Sequence, residues 1–178
     1  MIPIKEQYEK VLPELLKTLG QKNRYAAPRF SKVIINTGTG KLREPKQAAL
    51  VADRLAKITG QKPAPRGAKK SIASFKVRQG ETIGQMVTLR GGRMYGFLDK
   101  LINVAVPRMR DFRGIDERSV DAAGNLTIGI REHTIFPETA DEELKDVFGF
   151  AITIVTTARN RNEALALFRA LRFPFKKS

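Results

Sequence analysis

The chain of 178 residues contains no cysteine and a single histidine, His133. The lack of cysteine excludes disulfide bonds, zinc–thiolate sites and cysteine nucleophiles, and it fits a reducing compartment. A metal site would depend on carboxylates alone, and a histidine-based triad could use only His133. Serine nucleophile motifs of the elbow type are also absent. We therefore expect no catalytic residue, metal site, cofactor or small-molecule substrate, and we expect His133 to be a packed or exposed side chain.

The sequence also lacks a long uncharged apolar segment. No run approaches the roughly 20 residues that a membrane-spanning helix needs. The first residues, MIPIKEQYEKVLPELL, lack the apolar core and the small-residue cleavage site of a secretory signal. We therefore expect a soluble, cytoplasmic protein with no membrane partner.

Acidic residues are scarce relative to basic ones. The chain has 33 Lys and Arg against 18 Asp and Glu, which gives a net charge of +15 and a sequence pI of about 10.4. An excess of this size repels itself and indicates a polyanionic partner, because solubility alone needs a smaller net charge. Nucleic acid is favoured over a membrane surface because no basic amphipathic helix with an aromatic face is found.

Hydrophobic periodicity predicts one domain over residues 1–178 in which helices and strands alternate. The predicted helices cover 4–20, 45–59, 92–106 and 160–172. Pro13 should bend or split the first helix, and Asn160 with Glu163 predicts a capping box at the last one. The predicted strands cover 30–37, 82–90, 126–132 and 150–157, with a short edge strand at 61–65. This order predicts an α+β fold, with a mostly antiparallel sheet, helices packed on one face and an open, basic face for RNA.

Each predicted strand has one apolar side and a second side of small, hydroxyl, amide and cationic residues. The second side contains no carboxylate, although an ordinary half-solvated sheet would normally mix charges of both signs. Hydroxyl and cationic side chains suit a phosphate backbone, and the missing aromatic platform favours folded RNA over a linear single strand. The candidate RNA-binding residues on this side are Lys32, Asn36, Thr88, Arg90 and Arg131.

Two basic segments lie outside the predicted strands. Residues 66–80, RGAKKSIASFKVRQG, carry five cations and no acid. Their apolar side chains are expected to tie the segment to the body of the protein while the cations point outward. These apolar residues are Ile72, Phe75 and Val77, and the outward cations are Lys69, Lys70, Lys76 and Arg78.

In the second basic segment, 107–114, three arginines surround Phe112, which either anchors the segment to the core or stacks on a base. These arginines are Arg108, Arg110 and Arg113, and their planar guanidinium groups suit phosphates and base edges. A basic turn is usually only a solvated surface, but two such segments beside a basic sheet face favour nucleic acid.

Two further patterns do not support chemistry. The sequence GTGK at 38–41 lacks the earlier glycine and the following Ser or Thr of a phosphate-binding loop, since Ile35 and Leu42 hold those positions. The acidic residues between 138 and 146 fit the first turn of a helix, with Asp141 as its cap. We therefore do not expect an enzyme.

Eight segments, in a consistent order along the chain, carry a resemblance to one family. They are VIINTGTG (33–40), ITGQKP (58–63), AKKSIASFKVRQG (68–80), VTLRG (87–91), LINVAVPRMRDFRG (101–114), GIREHTIFPE (129–138), ITIVTTA (152–158) and FPFKK (173–177). The combination of RDFRG with the later IFPE and TTA is highly specific. The chain resembles the bacterial large-subunit ribosomal protein five family, the universal 5S-rRNA-binding family of the central protuberance.

The resemblance implies a ribosomal protein of the large subunit that acts in translation as a structural, RNA-binding component. It implies that the open sheet face holds 5S rRNA, which is joined to 23S rRNA; the matching recognition residues are Asn36, Gln61, Thr88 and Arg90. It implies that the loop 66–80 reaches the elbow of P-site tRNA; the polar residues of this loop are Arg66, Lys69, Lys70, Ser71, Lys76 and Arg78. The family also joins a bridge to small-subunit ribosomal protein thirteen, and the candidates for other rRNA or bridge contacts are Arg108, Arg110 and Arg113.

The chain departs from the family pattern at two places. Near 120–126 the family usually has Phe-Asp-Gly-Arg-Gly-Asn-aromatic, whereas this chain reads VDAAGNL, so Ala123 removes an arginine and Leu126 an aromatic ring. Gly92 stands where an acid is common.

The residues alone leave two other functions open. One is an enzyme acting on RNA, which would need paired carboxylates near the basic surface, and the other is a module that binds an acidic protein.

Overall fold

The computed structural model describes residues 2–40, 45–110, 112–140 and 147–176. The α-helices within these residues are α1 (Ile4–Thr18), α2 (Pro45–Thr59), α3 (Gly91–Lys100) and α4 (Arg161–Ala170). The strands are β1 (Phe30–Gly38), β2 (Ala64–Gly67), β3 (Thr82–Leu89), β4 (Leu126–Ile130) and β5 (Phe150–Thr156). They form an antiparallel sheet in the order β2-β3-β1-β5-β4, which confirms the predicted α+β class.

The helix termini follow local sequence signals. Helix α2 has the predicted bounds and is followed by Gly60, whose φ of +67° suits a residue without a Cβ. At the start of α4 the Asn160 side-chain oxygen accepts a hydrogen bond from the Glu163 N–H at 2.9 Å. The Glu163 carboxylate accepts in return from the Arg159 N–H at 2.9 Å. The predicted capping box therefore forms, with its return bond one residue earlier than usual.

Three predicted elements differ from the structure. Pro13 was predicted to bend or split α1, and the helix continues through it, so the split does not occur. Pro13 and Glu9 are both exposed, and the carbonyl that loses its partner therefore lies near water. After α3 the chain continues in a π-helical segment, Leu101–Ala105, and a 3₁₀ turn, Val106–Arg108, past the predicted end. The edge strand is Ala64–Gly67 rather than 61–65, and it does lie at the edge of the sheet. The predicted helix cap Asp141 lies outside the described residues.

The chain divides into two compact units. Unit 1 comprises Met1–Val33, Leu89–Ile128 and Thr153–Ser178, and unit 2 comprises Ile34–Thr88 and Gly129–Ile152. The single domain over 1–178, with a protruding basic loop, stays a prediction.

The core of unit 1 combines helix packing with an aromatic cluster. Helix α1 packs against α3 and α4. The Ile4 N–H at its start donates to the Asp99 carboxylate at 2.7 Å, which satisfies one of the free N–H groups of the first turn. The Phe30 ring lies 5.9 Å from the rings of both Phe168 and Phe173. Burial of each of these rings stabilises the fold by about 1.5–3 kcal/mol.

In unit 2, helix α2 buries Leu55 and Ile58 and packs against the turn Pro137–Thr139. His133 is fully buried and stacks on Phe148, with ring centres 4.4 Å apart and planes at 13°. Its Nδ1 accepts a hydrogen bond from the Phe148 N–H at 3.3 Å. Of the two alternatives that the sequence left open for His133, packed or exposed, the structure shows the packed one. No helix in the described ranges has both the length and the apolar character needed to cross a membrane.

Candidate nucleic-acid interface

Burial alternates along the strands as the sequence predicts. In β1, Val33 and Ile35 are fully buried, whereas Lys32 is half-buried and Asn36 is exposed. The same two-residue period holds in β4 and β5 and in β3 from Gln85 onward. The five described strands contain no Asp or Glu. β4, β5, β1 from Lys32 onward and β3 from Gln85 onward therefore each have one buried side and a more accessible side that is free of negative charge. The residues of the edge strand β2 are all exposed.

In unit 2 the structure brings together two predicted site residues, Gln61 and Thr88. The Gln61 side-chain amide donates to the Thr88 carbonyl oxygen at 3.3 Å. The preceding turn is held by the Thr59 hydroxyl. This hydroxyl donates to the Leu55 carbonyl at 2.7 Å, and it accepts a hydrogen bond from the Gln61 N–H at 3.3 Å. Gln61 therefore lies just past α2 and not at a strand start as we predicted. The end of the helix, where backbone groups need side-chain partners, positions the amide on β3.

Asn36 and Arg131 lie near a close backbone approach in unit 2. Next to Asn36, the Thr37 hydroxyl donates to the Gly149 carbonyl at 2.8 Å. A Cβ at Gly149 would lie only 2.8 Å from the Ile130 carbonyl oxygen, so glycine permits this approach. Arg131 is exposed in a bend after β4, because that strand ends two residues before its predicted end.

Unit 1 contributes Lys32, Arg90 and a pair of hydroxyl groups. Arg90 is exposed and extended, with φ −138° and ψ 164°, immediately before α3. The hydroxyl oxygens of Thr127 in β4 and Thr153 in β5 lie 3.1 Å apart. These are short donors and acceptors that suit contacts to phosphate and sugar oxygens.

The loop 66–80, in unit 2, forms a hairpin whose tip presents apolar side chains to solvent. Ile72 and Val77 form an antiparallel bridge, with hydrogen bonds of 3.0 Å and 3.3 Å between their backbones. Phe75 is 74% exposed and Ile72 is 45% exposed, so the predicted anchoring by these two side chains was wrong. The bridge is closed by a single turn, Ala73–Phe75, and side chains of so short a tip do not reach a core. Ala68 is the buried residue at the base of the loop.

The polar side chains of this loop are accessible as predicted. The exposed residues are Arg66, Lys69, Lys70, Ser71, Lys76 and Arg78. The Ser71 hydroxyl accepts from the Gln79 N–H at 3.0 Å and so connects the two arms of the hairpin.

The segment 107–114 is held by the C-terminal residues of unit 1. The Ile115 N–H donates to the Pro174 carbonyl at 2.8 Å, and the Lys176 N–H donates to the Ile115 carbonyl at 2.9 Å. Gly114 has a φ of +98°, and a Cβ there would lie 2.6 Å from the Lys176 nitrogen. Phe112 is half-buried, and the three arginines predicted to contact RNA are all exposed: Arg108, Arg110 and Arg113.

The segment VDAAGNL, which departs from the family pattern, is a tight turn in unit 1. The Asp121 carboxylate accepts from the Asn125 backbone N–H at 2.7 Å and from its side-chain amide at 3.0 Å. Burial alone would raise the pKa of Asp121, but these bonds and those from the N–H groups of Ala123 and Gly124 hold its pKa below the ordinary value. Leu126 is fully buried and Ala123 is exposed. The change at Leu126 thus concerns packing, whereas that at Ala123 concerns the surface.

The charges of the predicted site are not neutralised by the acids that the structure describes. The ion pairs found in the described ranges involve Asp53 and Glu117, and none includes a predicted RNA-binding cation. No cluster of three or more metal-ligating side chains occurs among those residues either. The interface is therefore suited to bind a polyanion and offers no arrangement for metal-assisted chemistry in the part that is described.

Sequence reasoning did not single out Tyr25. This side chain is 90% exposed in a short turn in which the Asn23 side chain accepts from the Tyr25 N–H at 2.9 Å. The Asn23 cap was the available signal, but it predicts the turn and not the exposure of the ring. Among the described residues, the exposed aromatic rings of Tyr25 and Phe75 therefore lie in loops and not on the strands.

Two family models match most of the chain. The model described as Ribosomal protein L5 matches residues 23–78. The model of the C-terminus of the same ribosomal protein family matches residues 82–175.

Similar curated proteins carry the name Large ribosomal subunit protein uL5. The one from Anaeromyxobacter sp. (strain K) is 48% identical over 176 residues, which cover 98% of this chain and 98% of the relative. The one from Halothermothrix orenii is 48% identical over 179 residues, covering 99% of this chain and 100% of the relative. The one from Thermotoga sp. (strain RQ2) is 47% identical over 178 residues, covering 99% and 97%. The chain therefore belongs to the uL5 family of ribosomal proteins and is a structural, non-enzymatic constituent of the large ribosomal subunit.

Proposed function

We propose that this protein binds 5S rRNA through the carboxylate-free side of its strands and helps join 5S rRNA to 23S rRNA. The loop 66–80 contacts P-site tRNA during translation, and the protein meets the small subunit through its ribosomal protein thirteen. It acts in the ribosome of the bacterial cytoplasm. The observation that carries the proposal is the absence of Asp and Glu from all five described strands of a chain with a net charge of +15.

The residues of unit 2 support hydrogen bonding to a folded RNA. Asn36 is exposed on β1, and the Gln61 amide is held against β3 by its 3.3 Å bond to the Thr88 carbonyl. An amide held in this way loses little rotamer entropy when it binds a ligand. Arg131 adds a cation at the end of β4.

The residues of unit 1 support contacts to the phosphate backbone. Lys32 and Arg90 carry charge, and the hydroxyl groups of Thr127 and Thr153 add short polar groups. Contacts of this kind set the position of the RNA without reading its sequence. The exposed arginines of the segment 107–114 are proposed for other rRNA or for the contact with the small subunit.

The affinity for 5S rRNA at several salt concentrations tests this function. If about six phosphates are neutralised, the logarithm of the affinity falls with the logarithm of the salt concentration with a slope of roughly −4 to −5. Between about 50 and about 200 mM salt the affinity then falls roughly 300- to 1,000-fold. An unrelated structured RNA of equal length is the control. Equal affinity for the two RNAs would contradict specific binding of 5S rRNA.

A further inference from the structure

The tip of the loop 66–80 exposes two apolar side chains that the proposed charge contacts do not use. Phe75 is 74% exposed and Ile72 is 45% exposed. Single exposed apolar residues are ordinary on protein surfaces, but these two lie three residues apart at the end of one hairpin. An aromatic ring that remains in water at such a projection forgoes the 1.5–3 kcal/mol, roughly, that its burial would contribute. Its position therefore fits a ring that is covered by a partner.

The backbone of this tip is held by its own hydrogen bonds. The Phe75 N–H donates to the Ile72 carbonyl at 3.3 Å, and the Ile72–Val77 bridge closes the turn. Lys76 follows with a φ of +53°, in the left-handed region that non-glycine residues seldom adopt. Lower in the hairpin, the Glu81 carboxylate accepts from the Arg78 N–H at 3.0 Å. The ring at position 75 is thus attached to a defined turn, which lowers the entropy lost on binding.

The charges around the ring identify the chemistry of its partner. Four cations are exposed on both sides of it, at Lys69, Lys70, Lys76 and Arg78. The segment contains no acid before Glu81, whose carboxylate accepts a backbone N–H. A partner that meets both features presents phosphates and, between them, a flat apolar surface. A nucleobase with one face not covered by a neighbouring base satisfies this description. Stacking of a base on an aromatic side chain does not require a particular base.

We propose that Phe75 stacks on an unstacked nucleobase of the tRNA that the loop 66–80 meets, with Ile72 beside it and the lysines on the adjoining phosphates. This inference rests on the proposed contact between the loop and tRNA. The inference gives the loop a contact to the face of a base, in addition to the contacts that its charged side chains make. An anionic membrane could also accept a basic tip with an apolar ring, but the membership in a ribosomal protein family favours RNA.

The absence of tryptophan from this chain permits a direct test. In the full-length Phe75→Trp variant the emission of the only tryptophan reports on the tip of the loop. We expect a tRNA transcript to quench this emission, whereas tripolyphosphate, which offers charge without bases, leaves it unchanged. Tyr25→Trp is the matched control, because Tyr25 is also an exposed aromatic residue near cations.

Three outcomes of the fluorescence experiment would each overturn the proposal. The first is unquenched emission of the Phe75→Trp variant when tRNA is bound. The second is equal quenching of the Tyr25→Trp control by tRNA. The third is equal quenching of the Phe75→Trp variant by anionic phospholipid vesicles, which would indicate a membrane surface as the partner of the tip.

Affinity gives a second, independent measurement. Phe75→Ala should weaken tRNA binding by about five- to hundredfold, the range for one stacked base, without changing the salt slope. Phe75→Tyr should retain the affinity. If Phe75→Ala binds tRNA as the wild type does, while tRNA binding still depends on Lys69 and Lys70, the stacking is wrong but the contact between the loop and tRNA stands. Independence from these lysines would instead overturn the proposed contact between the loop and tRNA.

Discussion

The carboxylate-free side of the strands and the loop 66–80 are both basic, yet they are built in different ways. The backbone of the strands is fixed by hydrogen bonds between neighbouring strands, and the Gln61 side chain at the end of α2 donates to the Thr88 carbonyl of β3. The loop is a narrow hairpin held mainly by its own backbone, with an exposed phenylalanine at the tip. A surface on strands suits a permanent RNA partner, whereas a narrow hairpin with exposed side chains suits a partner that comes and goes. The contacts that we propose for the two regions therefore differ in kind, although both depend on positive charge.

Among the variants that compare the two basic regions, the largest effect is expected when charge is reversed in the loop alone. Lys69→Glu combined with Lys70→Glu should weaken tRNA binding on the order of thirtyfold at about 0.1 M salt, because each phosphate contact contributes about 1 kcal/mol there. Filter binding of tRNA and of 5S rRNA to the same variant measures both affinities, and the affinity for 5S rRNA should be unchanged.

Lys5→Glu combined with Lys10→Glu is the matched control for this experiment. Both lysines are exposed on α1, and the change in net charge is the same. Loss of 5S rRNA binding by the loop variant, or equal loss of tRNA binding by the control, would abolish the proposed difference between the two regions.

A smaller effect is expected from single substitutions on the strand side. Asn36→Ala and Arg90→Ala should each weaken 5S rRNA binding by about tenfold, the lower end of what a hydrogen bond involving a charged group contributes, about 1.5 kcal/mol. Binding of tRNA should be unchanged. Thermal unfolding checks that each variant is folded.

Gln79→Ala and Arg118→Ala serve as controls, because both residues are exposed and neither is assigned to the strand side. If folded Asn36→Ala and Arg90→Ala variants bind 5S rRNA as the wild type does, the assignment of these residues is wrong.

The smallest effect on RNA is expected at Asp121, which belongs to neither region. Its pKa is lowered in the folded protein, so its stabilising contribution is present above its unfolded value and is lost as the pH falls through the folded value. Asp121→Asn should remove this part of the acid dependence and cost about 1 kcal/mol of stability at neutral pH. Urea unfolding between about pH 6 and about pH 3 measures both.

Both RNA affinities of Asp121→Asn should equal those of the wild type at neutral pH. A weaker affinity for 5S rRNA would show that the turn VDAAGNL contributes to binding. The turn would then be a third RNA-binding region beside the strand side and the loop 66–80.

Much of the fold could be predicted because local signals agreed with the global structure. The bounds of α2 followed from Pro45 and Gly60. The buried sides of β4, β5 and β1 from Lys32 onward followed from alternation. The family followed from motifs spread over nearly the whole chain. The candidate residues Asn36 and Thr88 followed from the parity of their positions in predicted strands. Each of these inferences, apart from the family, depends on backbone geometry, which repeats with a known period.

The sequence by itself determined the excess of positive charge, the sides of the predicted strands and the absence of thiol chemistry, because charge and periodicity are properties of the chain. Only the tertiary structure decided that Gln61 lies against Thr88 and that Phe75 faces solvent. The first depends on how the end of α2 meets β3, across 27 residues. The second depends on the depth of a hairpin, since an apolar residue is buried only where another element is within reach to cover it.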